Sequence, residues 1–581
     1  MTGDERPVSR AAKALSILIA LLAPARMALI VFTCGENNLS NDYVARAPVV
    51  AAILEGRYAW PHLFRDTWIW GGHSWLGLLP FYWFDARFFA WDLRVELGIG
   101  LLLTALKTIL LWLAVSGSLT LIARWCLLPV LSTLAFSVSQ ISTFTFGEST
   151  LQMQLAQVAL AAGALAVARL ADRPGARAAT LAACGLLASW SWGGGIMAWP
   201  VFAAALFASG ERSLRRWALL PLAAAPGLAQ YVWFLVIAPL PRVVDSPGWR
   251  GLWRVPDLLG RPFANGTGRN GEPLPAAILF GAAGIALGAA ALWSARGRLR
   301  DRLPALVVFG WSLLLAAQIA LMRSGVSSWY IAPMTAFWLG LAALLAAAPR
   351  PIAWAGFATI AAGLLFSNRT WEDKSFYLAS RTPASAACLR EWRSAPAGCH
   401  DRVFQWGNGF PADYATLAAP LEAAGLSVFG PRRTYLLQGD VAVGRVGIRN
   451  PKTAFLSRDD RTPGDPDDFH RLDLVLAPGA SVTWRVDLPP NLRSARFKTR
   501  VRASEDDPML ARGARVTAAR ASDAGRARAL VPAGGREPLS LDLVECAGQT
   551  VTLTLSAEEG DGGRPLVFET PRIELRTEGR P

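Results

Sequence analysis

Charged residues are scarce in this sequence. Only 17% of its 581 residues are Asp, Glu, Lys or Arg, against about 25% in a soluble domain, and 53% are hydrophobic. This imbalance excludes an ordinary soluble enzyme. The apolar excess is concentrated before residue 370, which indicates a membrane region followed by a soluble one. Disorder over most of the length is also excluded, because disordered chains are poor in aromatic and branched residues.

Histidine and cysteine are few, and common cofactor motifs are missing. The four His and six Cys show no metal-type spacing, which argues against a zinc site. The chain has no phosphate loop of the Walker type, no dinucleotide fingerprint between a strand and a helix, and no catalytic-serine elbow. ATP-driven transport and nicotinamide chemistry are therefore disfavoured. The sequence identifies no certain cofactor and leaves only a divalent cation open. Cys388 and Cys399 fall where an oxidising compartment permits a bridge.

Eleven apolar segments approach the length of a membrane helix, which needs about 17–25 residues. Two short segments flank Gly193, Gly194 and Gly195, and they form either two spans or a re-entrant hairpin. We therefore predict an all-α membrane bundle of about 11 spans, or nine if 178–209 is re-entrant. The segments are 14–33, 97–116, 127–140, 151–168, 178–192, 196–209, 218–238, 276–294, 304–322, 329–348 and 352–367.

Basic residues in the loops predict an orientation. With the N-terminus in the cytoplasm, 15 Lys and Arg residues fall in cytoplasmic segments, whereas the short opposite loops 139–150 and 323–328 hold only Arg323. We predict a multi-pass membrane protein with an extracytoplasmic C-terminal region, which in a bacterium means the inner membrane and the periplasm. The net charge of +15 is assigned to the membrane and not to nucleic acid. The cytoplasmic residues are Arg6, Arg10, Lys13, Arg124, Arg169, Arg173, Arg177, Arg212, Arg215, Arg216, Arg296, Arg298, Arg300, Arg302 and Arg350.

Alternating apolar and polar runs recur after residue 434, separated by Gly, Pro and Asp turns. Short strands of this kind are typical of a β-sandwich. We predict a transmembrane domain at 1–368 with a first outer loop at 34–96, a mixed α/β linker at 369–433 with a helix near 413–425, and a soluble periplasmic β-sandwich at 434–581. The predicted strands are 472–476, 481–487, 495–502, 514–521, 539–543, 551–556 and 566–576.

The first outer loop carries acidic residues close to the first span. Asp42 is the best candidate for a general base, since a carboxylate can take a proton from an attacking hydroxyl. Glu36 and Asp66 are near enough in sequence to join it. Asp42 also precedes a helix predicted over 43–54, so capping of that helix is an alternative that can coexist with catalysis. The aromatic stretch 68–91 is either a belt at the membrane surface or a surface for stacking sugars.

Polar residues near the outer ends of the spans extend this candidate substrate site. His73 could orient a substrate or carry a proton, although a plain hydrogen-bonding role fits it equally. Glu148 and Gln152 lie where the third and fourth spans meet outside, and they should face a cavity because such groups are costly against lipid. Arg323, followed by Tyr330, could neutralise a lipid-linked phosphate, since guanidinium matches phosphate oxygens in a fork. Anchoring to headgroups is the alternative for Arg323.

The chain resembles the GT-C superfamily of membrane glycosyltransferases, and more closely a group of bacterial multi-pass proteins of that superfamily. The resemblance depends on the order and topology of five stretches of sequence. These stretches lie within residues 14–430. They are Asn41-Asp42-Tyr43, Gly72-His73, the run from Phe146-Gly147-Glu148 to Gln154, the run from Gly193 to Trp199-Pro200, and Ser327-Ser328-Trp329-Tyr330.

The resemblance implies a hexosyl- or pentosyltransferase of the cell envelope. Its donor would be a polyprenyl-phosphate-linked sugar, its acceptor a glycan or lipid on the outer side, and its base an acidic residue of the first outer loop, which is Asp42 here. Many members have two adjacent acidic residues at this point, whereas this chain has Asn41-Asp42. The C-terminal sandwich would resemble a jelly-roll or carbohydrate-binding module.

Two other functions remain open at the level of sequence. The protein could be a membrane-anchored assembly or polysaccharide-binding protein without catalysis, or a transporter of lipid-linked sugars. Transport would require polar groups deep within several spans. The spans are mostly Ala and Leu, with polar residues at their outer ends. The sequence therefore favours a transferase with an outward-facing site.

Overall fold

The structure is a computed structural model in which both the helical region and the C-terminal strands are described. The described residues are 8–34, 39, 42–69, 73–145, 147–233, 247–264, 273–323, 330–368, 389, 392–393, 413–430, 432–436, 446–447, 453–457, 472–476, 481–488, 490, 492–503, 512–519, 524–531, 536–557 and 566–577. Cys388 and Cys399, for which a bridge was left open, lie outside these residues.

The chain divides into two compact units. The first comprises residues 1–34, 59–82 and 94–375, and the second comprises residues 35–58, 83–93 and 376–581. The second unit therefore combines two parts of the predicted first outer loop with the C-terminal region.

Each of the eleven predicted membrane segments contains an α-helix, and the helix expected over 43–54 has these bounds in the structure. Helices were also found at places where none was predicted, namely 79–89 and 255–264. The helices are α1 (Arg10–Cys34), α2 (Tyr43–Leu54), α3 (Leu63–Asp66), α4 (Leu79–Phe89), α5 (Leu93–Val115), α6 (Leu121–Ala135), α7 (Ile141–Phe144), α8 (Gly147–Arg169), α9 (Pro174–Ser191), α10 (Ala198–Ala208), α11 (Leu214–Val232), α12 (Val255–Ala264), α13 (Pro275–Ser294), α14 (Leu299–Met322), α15 (Ile331–Leu345), α16 (Arg350–Asn368) and α17 (Tyr414–Ala423).

Seven helical segments in the described part of the chain are long and apolar enough to cross a membrane. They contain α1, α5, α6, α8, α13, α14 and α16. The helices α9 and α10 are joined by a tight turn at Gly193–Met197, and like α11 and α15 they fall outside this set. The prediction of a membrane helical bundle is confirmed, whereas the total of eleven or nine spans stays a prediction.

The helix α15 forms the centre of the first unit. All fifteen of its residues are buried, so it contacts protein on every side. It crosses α14 closely at Gly340, where an added Cβ would lie 2.6 Å from the backbone nitrogen of Phe309. The indole of Trp338 donates a hydrogen bond to the carbonyl of Leu259 on α12, at 2.7 Å. A helix too short to span by itself thus holds α12 and α14 together.

In the second unit, α2 packs against α17. The buried side chains include Val44, Ala47 and Val50 on α2, and Leu417 and Leu421 on α17. This contact joins part of the predicted first outer loop to the C-terminal region within the second unit.

The sequence prediction of a helix near 413–425 is confirmed by α17. Its N-terminus is capped by Asp413, whose carboxylate accepts a hydrogen bond of 2.8 Å from the Thr416 N–H. Past its C-terminus Gly425 has a φ of +62°, a left-handed conformation that glycine adopts without a steric penalty.

Two antiparallel sheets contain the described strands of the C-terminal region. All seven predicted strands are present, and the structure adds further ones, among them 524–531. The sheet orders are β10-β9-β12-β7-β4 and β11-β8-β13-β6-β5, with β3 paired to β13. Packing of the sheets into a sandwich stays a prediction. The strands are β1 (Trp68–Ile69), β2 (His73–Ser74), β3 (Arg432–Leu436), β4 (Val446–Gly447), β5 (Thr453–Ser457), β6 (Leu472–Leu476), β7 (Ser481–Asp487), β8 (Leu492–Ala503), β9 (Arg512–Ala519), β10 (Ala524–Val531), β11 (Arg536–Asp542), β12 (Thr550–Ala557) and β13 (Leu566–Thr577).

Candidate functional site

Asp42 occupies the N-cap position of α2, but its side chain makes no capping hydrogen bond. Its backbone is already helical, with φ −63° and ψ −12°, and its carbonyl accepts the Ala45 N–H at 3.1 Å. A capping side chain needs an extended backbone to turn back onto the first amides. The capping interpretation of Asp42 is therefore wrong, and the half-buried carboxylate is not used to start the helix.

The residues after Asp42 form a buried arrangement of aromatic and charged groups in the second unit. The rings of Tyr43 and Trp91 meet edge to face, with centroids 5.9 Å apart. The Arg46 guanidinium lies 5.2 Å from the centre of the Tyr43 ring. The side chains of Tyr43, Arg46 and Trp91 are all buried, as is that of Asp85 near the end of α4. Asp42 is thus followed directly by a rigidly packed group of side chains.

The turn that carries Trp91 has a strained backbone. Ala90 and Trp91 have φ values of +55° and +52°, a region that costs a non-glycine residue of order 1–3 kcal/mol. Two hydrogen bonds hold it: the Trp91 N–H donates to the Asp85 carbonyl at 3.1 Å, and the Ser427 N–H donates to the Ala90 carbonyl at 2.7 Å. Strain of this kind persists only where the surroundings enforce it, and it concentrates at functional sites.

A group of exposed aromatic rings occupies the C-terminal half of α4. The Phe84 and Phe88 rings are 5.1 Å apart, Trp83 contacts Phe88 and Phe89 contacts Phe84. All four side chains are at least 42% exposed. They offer ring faces for a sugar or for the membrane interface, as the sequence allowed.

The other described candidate residues belong to the first unit. The Asp66 carboxylate accepts a hydrogen bond from the Arg65 Nε at 2.8 Å. Arg323 is the C-cap residue of α14 and is half-buried, with no ion pair in the part of the chain that the structure describes. Tyr330 precedes α15 and is 8% exposed. Gln152 is buried on α8.

Three candidate residues have side chains outside the described part of the structure. Glu36 lies outside the described residues, and of His73 and Glu148 only the backbone is described, in β2 and in the first turn of α8. The expected encounter of Asp42 with Arg323 involves both units and stays a prediction.

A buried lysine within the bundle was not predicted from the sequence. Lys107 on α5 is 3% exposed, and its Nζ donates to the Oε1 atoms of Gln154 and Gln157 at 2.6 and 2.7 Å. Both glutamines lie on α8, and this pair of charge-assisted hydrogen bonds joins the two spans. Ionisable groups within spans are rare and mark functional positions. The signal available in the sequence was a single lysine, Lys107, inside one apolar run, and two glutamines three positions apart, Gln154 and Gln157, inside another.

We expect Lys107→Met to lower the free energy of unfolding by about 1–3 kcal/mol, since it leaves two buried amide oxygens without their donor. Thermal unfolding of the purified protein in detergent measures this. Adding Gln154→Leu and Gln157→Leu removes those oxygens and should recover the loss. If the single variant is as stable as the wild type, the hydrogen bonds contribute nothing to the fold.

A second buried charged group, also missed, lies on α12. The Arg261 Nε and Nη2 atoms donate to the Asp257 Oδ1 and Oδ2 at 3.1 and 3.0 Å. The Asp257 Oδ1 also accepts the N–H of Leu274, at 3.1 Å, beside the start of α13. Both charged side chains are at most 1% exposed. The hydrogen bond from Leu274 joins α12 to the start of α13, where Gly260 lies so close to Ala277 that a Cβ would be 1.8 Å from its carbonyl oxygen.

A third charged cluster surrounds Glu211, in the turn between α10 and α11. Its Oε1 accepts the N–H groups of Ser213 and Arg212 at 2.9 and 3.0 Å, and the Arg216 Nη1 lies 3.2 and 3.1 Å from its two oxygens. The Arg177 Nη2 is 4.0 Å away. The hydrogen bond from Ser213 and the guanidinium of Arg216 hold the pKa of Glu211 below its ordinary value, against an opposing effect of burial.

This lowered pKa predicts a pH dependence. A carboxylate with a lower pKa in the folded state stabilises the fold fully above its unfolded pKa of about 4.3, and the stabilisation is lost as the pH falls through the folded value. Glu211→Gln should therefore lower the Tm at pH 7, and the difference from wild type should shrink towards pH 3. The exposed Asp172→Asn is the control. A Tm difference that is constant with pH would contradict the prediction.

Within the described residues, no three His, Cys, Asp or Glu side chains gather as a metal site.

No protein-family model and no curated protein matches the chain. Among solved structures, the arabinosyltransferase EmbB from Mycobacterium smegmatis aligns with 99% of this chain and 66% of its own, at 11% sequence identity and a TM-score of 0.30. The chain thus spans 66% of the length of that protein. Its apolar helices make this chain a multi-pass membrane protein.

Proposed function

We propose that this protein is a glycosyltransferase of a bacterial inner membrane that moves a sugar from a polyprenyl-phosphate carrier to a cell-envelope glycan or lipid on the periplasmic side. The observation that carries the proposal is the setting of Asp42. Its carboxylate is not used in capping, and it begins a helix that packs against the C-terminal region. The next residue, Tyr43, is buried against Trp91 of a strained turn. A base must be held rigidly at the reacting hydroxyl, and this setting supplies such rigidity.

The contact between α2 and α17 supports an outer location for Asp42. Because the two helices touch, they lie on the same side of the membrane. Each span moves the chain to the other side, so the number of spans between the two helices must be even. The prediction of eleven spans places ten between them, and the alternative of nine spans places eight. The N-terminus then lies across the membrane from α2, on the side of the 15 basic residues. By the positive-inside rule that side is the cytoplasm, and Asp42 faces the periplasm.

The chemistry assigns a separate task to each charged group. Asp42 takes the proton of the acceptor hydroxyl while the oxygen of that hydroxyl attacks the anomeric carbon of the donor sugar. The bond from that carbon to the carrier phosphate breaks, and the phosphate leaves with the electron pair. Arg323 stabilises the charge of the leaving phosphate, since preorganised cations lower the energy of developing charge. A divalent cation at the same phosphate would act in the same sense.

The remaining candidates bind substrate in this scheme. Glu36, Asp66, His73, Glu148 and Gln152 offer hydrogen bonds to sugar hydroxyls, with Tyr330 near the carrier. The two C-terminal sheets form, in this proposal, a sandwich that holds the acceptor glycan.

The test is a transfer assay with the purified full chain in proteoliposomes. The donors are synthetic polyprenyl phosphates that carry a radiolabelled hexose or pentose, with envelope glycan as acceptor. We expect release of polyprenyl phosphate. The labelled sugar should appear on the glycan, or as free sugar where water acts as the acceptor. If no donor in the panel is cleaved, the proposal is wrong.

Lys107 favours a second candidate, the movement of lipid-linked sugars across the membrane. It is an ionisable group inside a span, which the sequence analysis did not expect, and such groups mark transport pathways. The same proteoliposomes distinguish the two functions, since transport moves the labelled donor between leaflets without cleaving its sugar–phosphate bond.

A further inference from the structure

Two tryptophans and two cations form a cluster where α1, α5 and α6 meet. The Arg124 guanidinium lies 4.7 Å from the centre of the Trp112 ring and 5.9 Å from that of Trp125. The Lys13 Nζ lies 6.0 Å from the Trp125 ring, and the two indoles are 5.4 Å apart. Each cation is thus positioned against an aromatic ring, which favours it electrostatically. We call these four residues the Trp–Arg cluster.

Hydrogen bonds fix this geometry. The Trp112 indole donates to the carbonyl of Arg124 at 2.8 Å, which joins α5 to the start of α6. The Ser16 hydroxyl donates to the carbonyl of Trp125 at 2.5 Å, which joins α1 to α6. The cluster is therefore built from three helices and is more than a set of mobile surface side chains.

A third cation lies nearby, and the charges are all of one sign. The Arg169 Nη2 at the end of α8 donates to the carbonyl of Leu113 at 3.3 Å, one residue beyond Trp112. Among the residues that the structure describes, neither Lys13, Arg124 nor Arg169 forms an ion pair. A guanidinium that stacks by its face keeps its edge N–H groups free for a planar or tetrahedral anion. The location is suited to a phosphate group.

The surface beside the cluster is apolar. Ile17 and Leu21 follow Lys13 at intervals of four residues, so all three lie along one face of α1. Ile17 is 44% exposed and Leu21 is 57% exposed. A ligand with a phosphate at the cluster could lay a hydrocarbon chain along this face, which a free phosphate lacks. This favours a phospholipid as the source of the phosphate.

We propose that the Trp–Arg cluster binds the headgroup of an anionic phospholipid from the leaflet at the α5–α6 turn. Basic sites between transmembrane helices recognise such lipids. In the orientation given above, this is the cytoplasmic leaflet, away from the proposed catalytic face. The lipid would join α1, α5, α6 and α8 at one end of the bundle.

The test is native mass spectrometry of the detergent-purified protein titrated with phosphatidylglycerol or phosphatidylcholine. We expect phosphatidylglycerol to bind more tightly, and Arg124→Gln and Lys13→Gln each to weaken it about fivefold, the effect of one charge near an anionic lipid. Arg296→Gln is the matched control, since Arg296 also stacks on a tryptophan, at 4.9 Å from the Trp293 ring. Arg296→Gln should leave the affinity for phosphatidylglycerol unchanged.

Two further measurements keep the test decisive. Arg124→Lys retains the charge without the planar fork and should lose less than Arg124→Gln, and the Tm without lipid shows that each variant is folded. Inorganic phosphate at the same concentrations should not displace the lipid. The proposal is overturned if the two lipids bind equally, if Arg124→Gln and Arg296→Gln have the same effect, or if inorganic phosphate competes as well as the lipid.

Discussion

Asp42→Asn is expected to reduce sugar transfer by about 10²–10⁴, the contribution of a positioned general base. The amide is close to isosteric with the carboxylate but cannot accept the proton of the acceptor hydroxyl at neutral pH. Donor binding should persist, because the carrier phosphate is assigned to Arg323. The measurement is the initial rate of release of polyprenyl phosphate in proteoliposomes, with donor binding followed separately.

Two variants show whether this loss is chemical. Asp42→Ala should lose activity to the same extent, and the Tm of both variants shows that they are folded. Asp172→Asn, an exposed carboxylate in the turn after α8, should retain full activity. Transfer by Asp42→Asn at the wild-type rate would remove Asp42 from the mechanism.

Arg261→Ala is expected to have the largest effect on stability, a loss of about 3–5 kcal/mol in the free energy of unfolding. It leaves the Asp257 carboxylate buried without the guanidinium that donates to both of its oxygens, at a position that is 0% exposed. The result can be measured by thermal or denaturant unfolding in detergent. The double variant Asp257→Leu with Arg261→Met removes both charges and should recover most of the stability, since an apolar pair of similar volume is often neutral or better.

The Arg393–Glu422 pair provides a matched control. This pair is also bidentate, with Arg393 Nη1 and Nη2 donating at 2.9 and 2.6 Å, but its side chains are 65% and 35% exposed. Exposed pairs contribute about 0–1 kcal/mol, so Arg393→Ala should change stability little. If Arg261→Ala and Arg393→Ala lower the free energy of unfolding by the same amount, burial does not determine how much an ion pair stabilises this protein.

The elements of the fold were largely predictable because their signals are local. The helix at Tyr43–Leu54 and the strands at Leu472–Leu476 and Ser481–Asp487 have the bounds expected from the sequence. An apolar run of helical length has one stable conformation in lipid, and alternation with a period of two indicates a strand. These arguments need only neighbouring residues.

The buried charges were not predictable, because their partners are distant in sequence or lie in unexpected elements. Lys107 is held by glutamines 47 and 50 positions away, and nothing in its own segment indicates which helix faces it. The helix α12 has ten residues with Asp257 and Arg261 among them, so its composition is that of a loop. Its burial comes from Trp338 and Ala277 on other helices.

The candidate site was only partly accessible for the same reason. The sequence identified Asp42 by its residue type and position, but it did not indicate the strained turn at Ala90 and Trp91. That turn depends on a hydrogen bond from the Ser427 N–H to the Ala90 carbonyl, between residues more than 300 positions apart. The role of Asp42 as a base was predicted from its residue type and its place in the first outer loop, and the family resemblance implies the same role.

The contact between α2 and α17 affects how the chain must be synthesised. The ribosome completes α2 at residue 54 and begins α17 at residue 414, about 360 residues later, which at about 5–20 residues per second is roughly 20–70 s. During that interval the apolar face of α2 lacks the surface that finally covers it. The first loop therefore matures only near the end of translation, and a chain truncated before α17 should be a target for quality-control proteases.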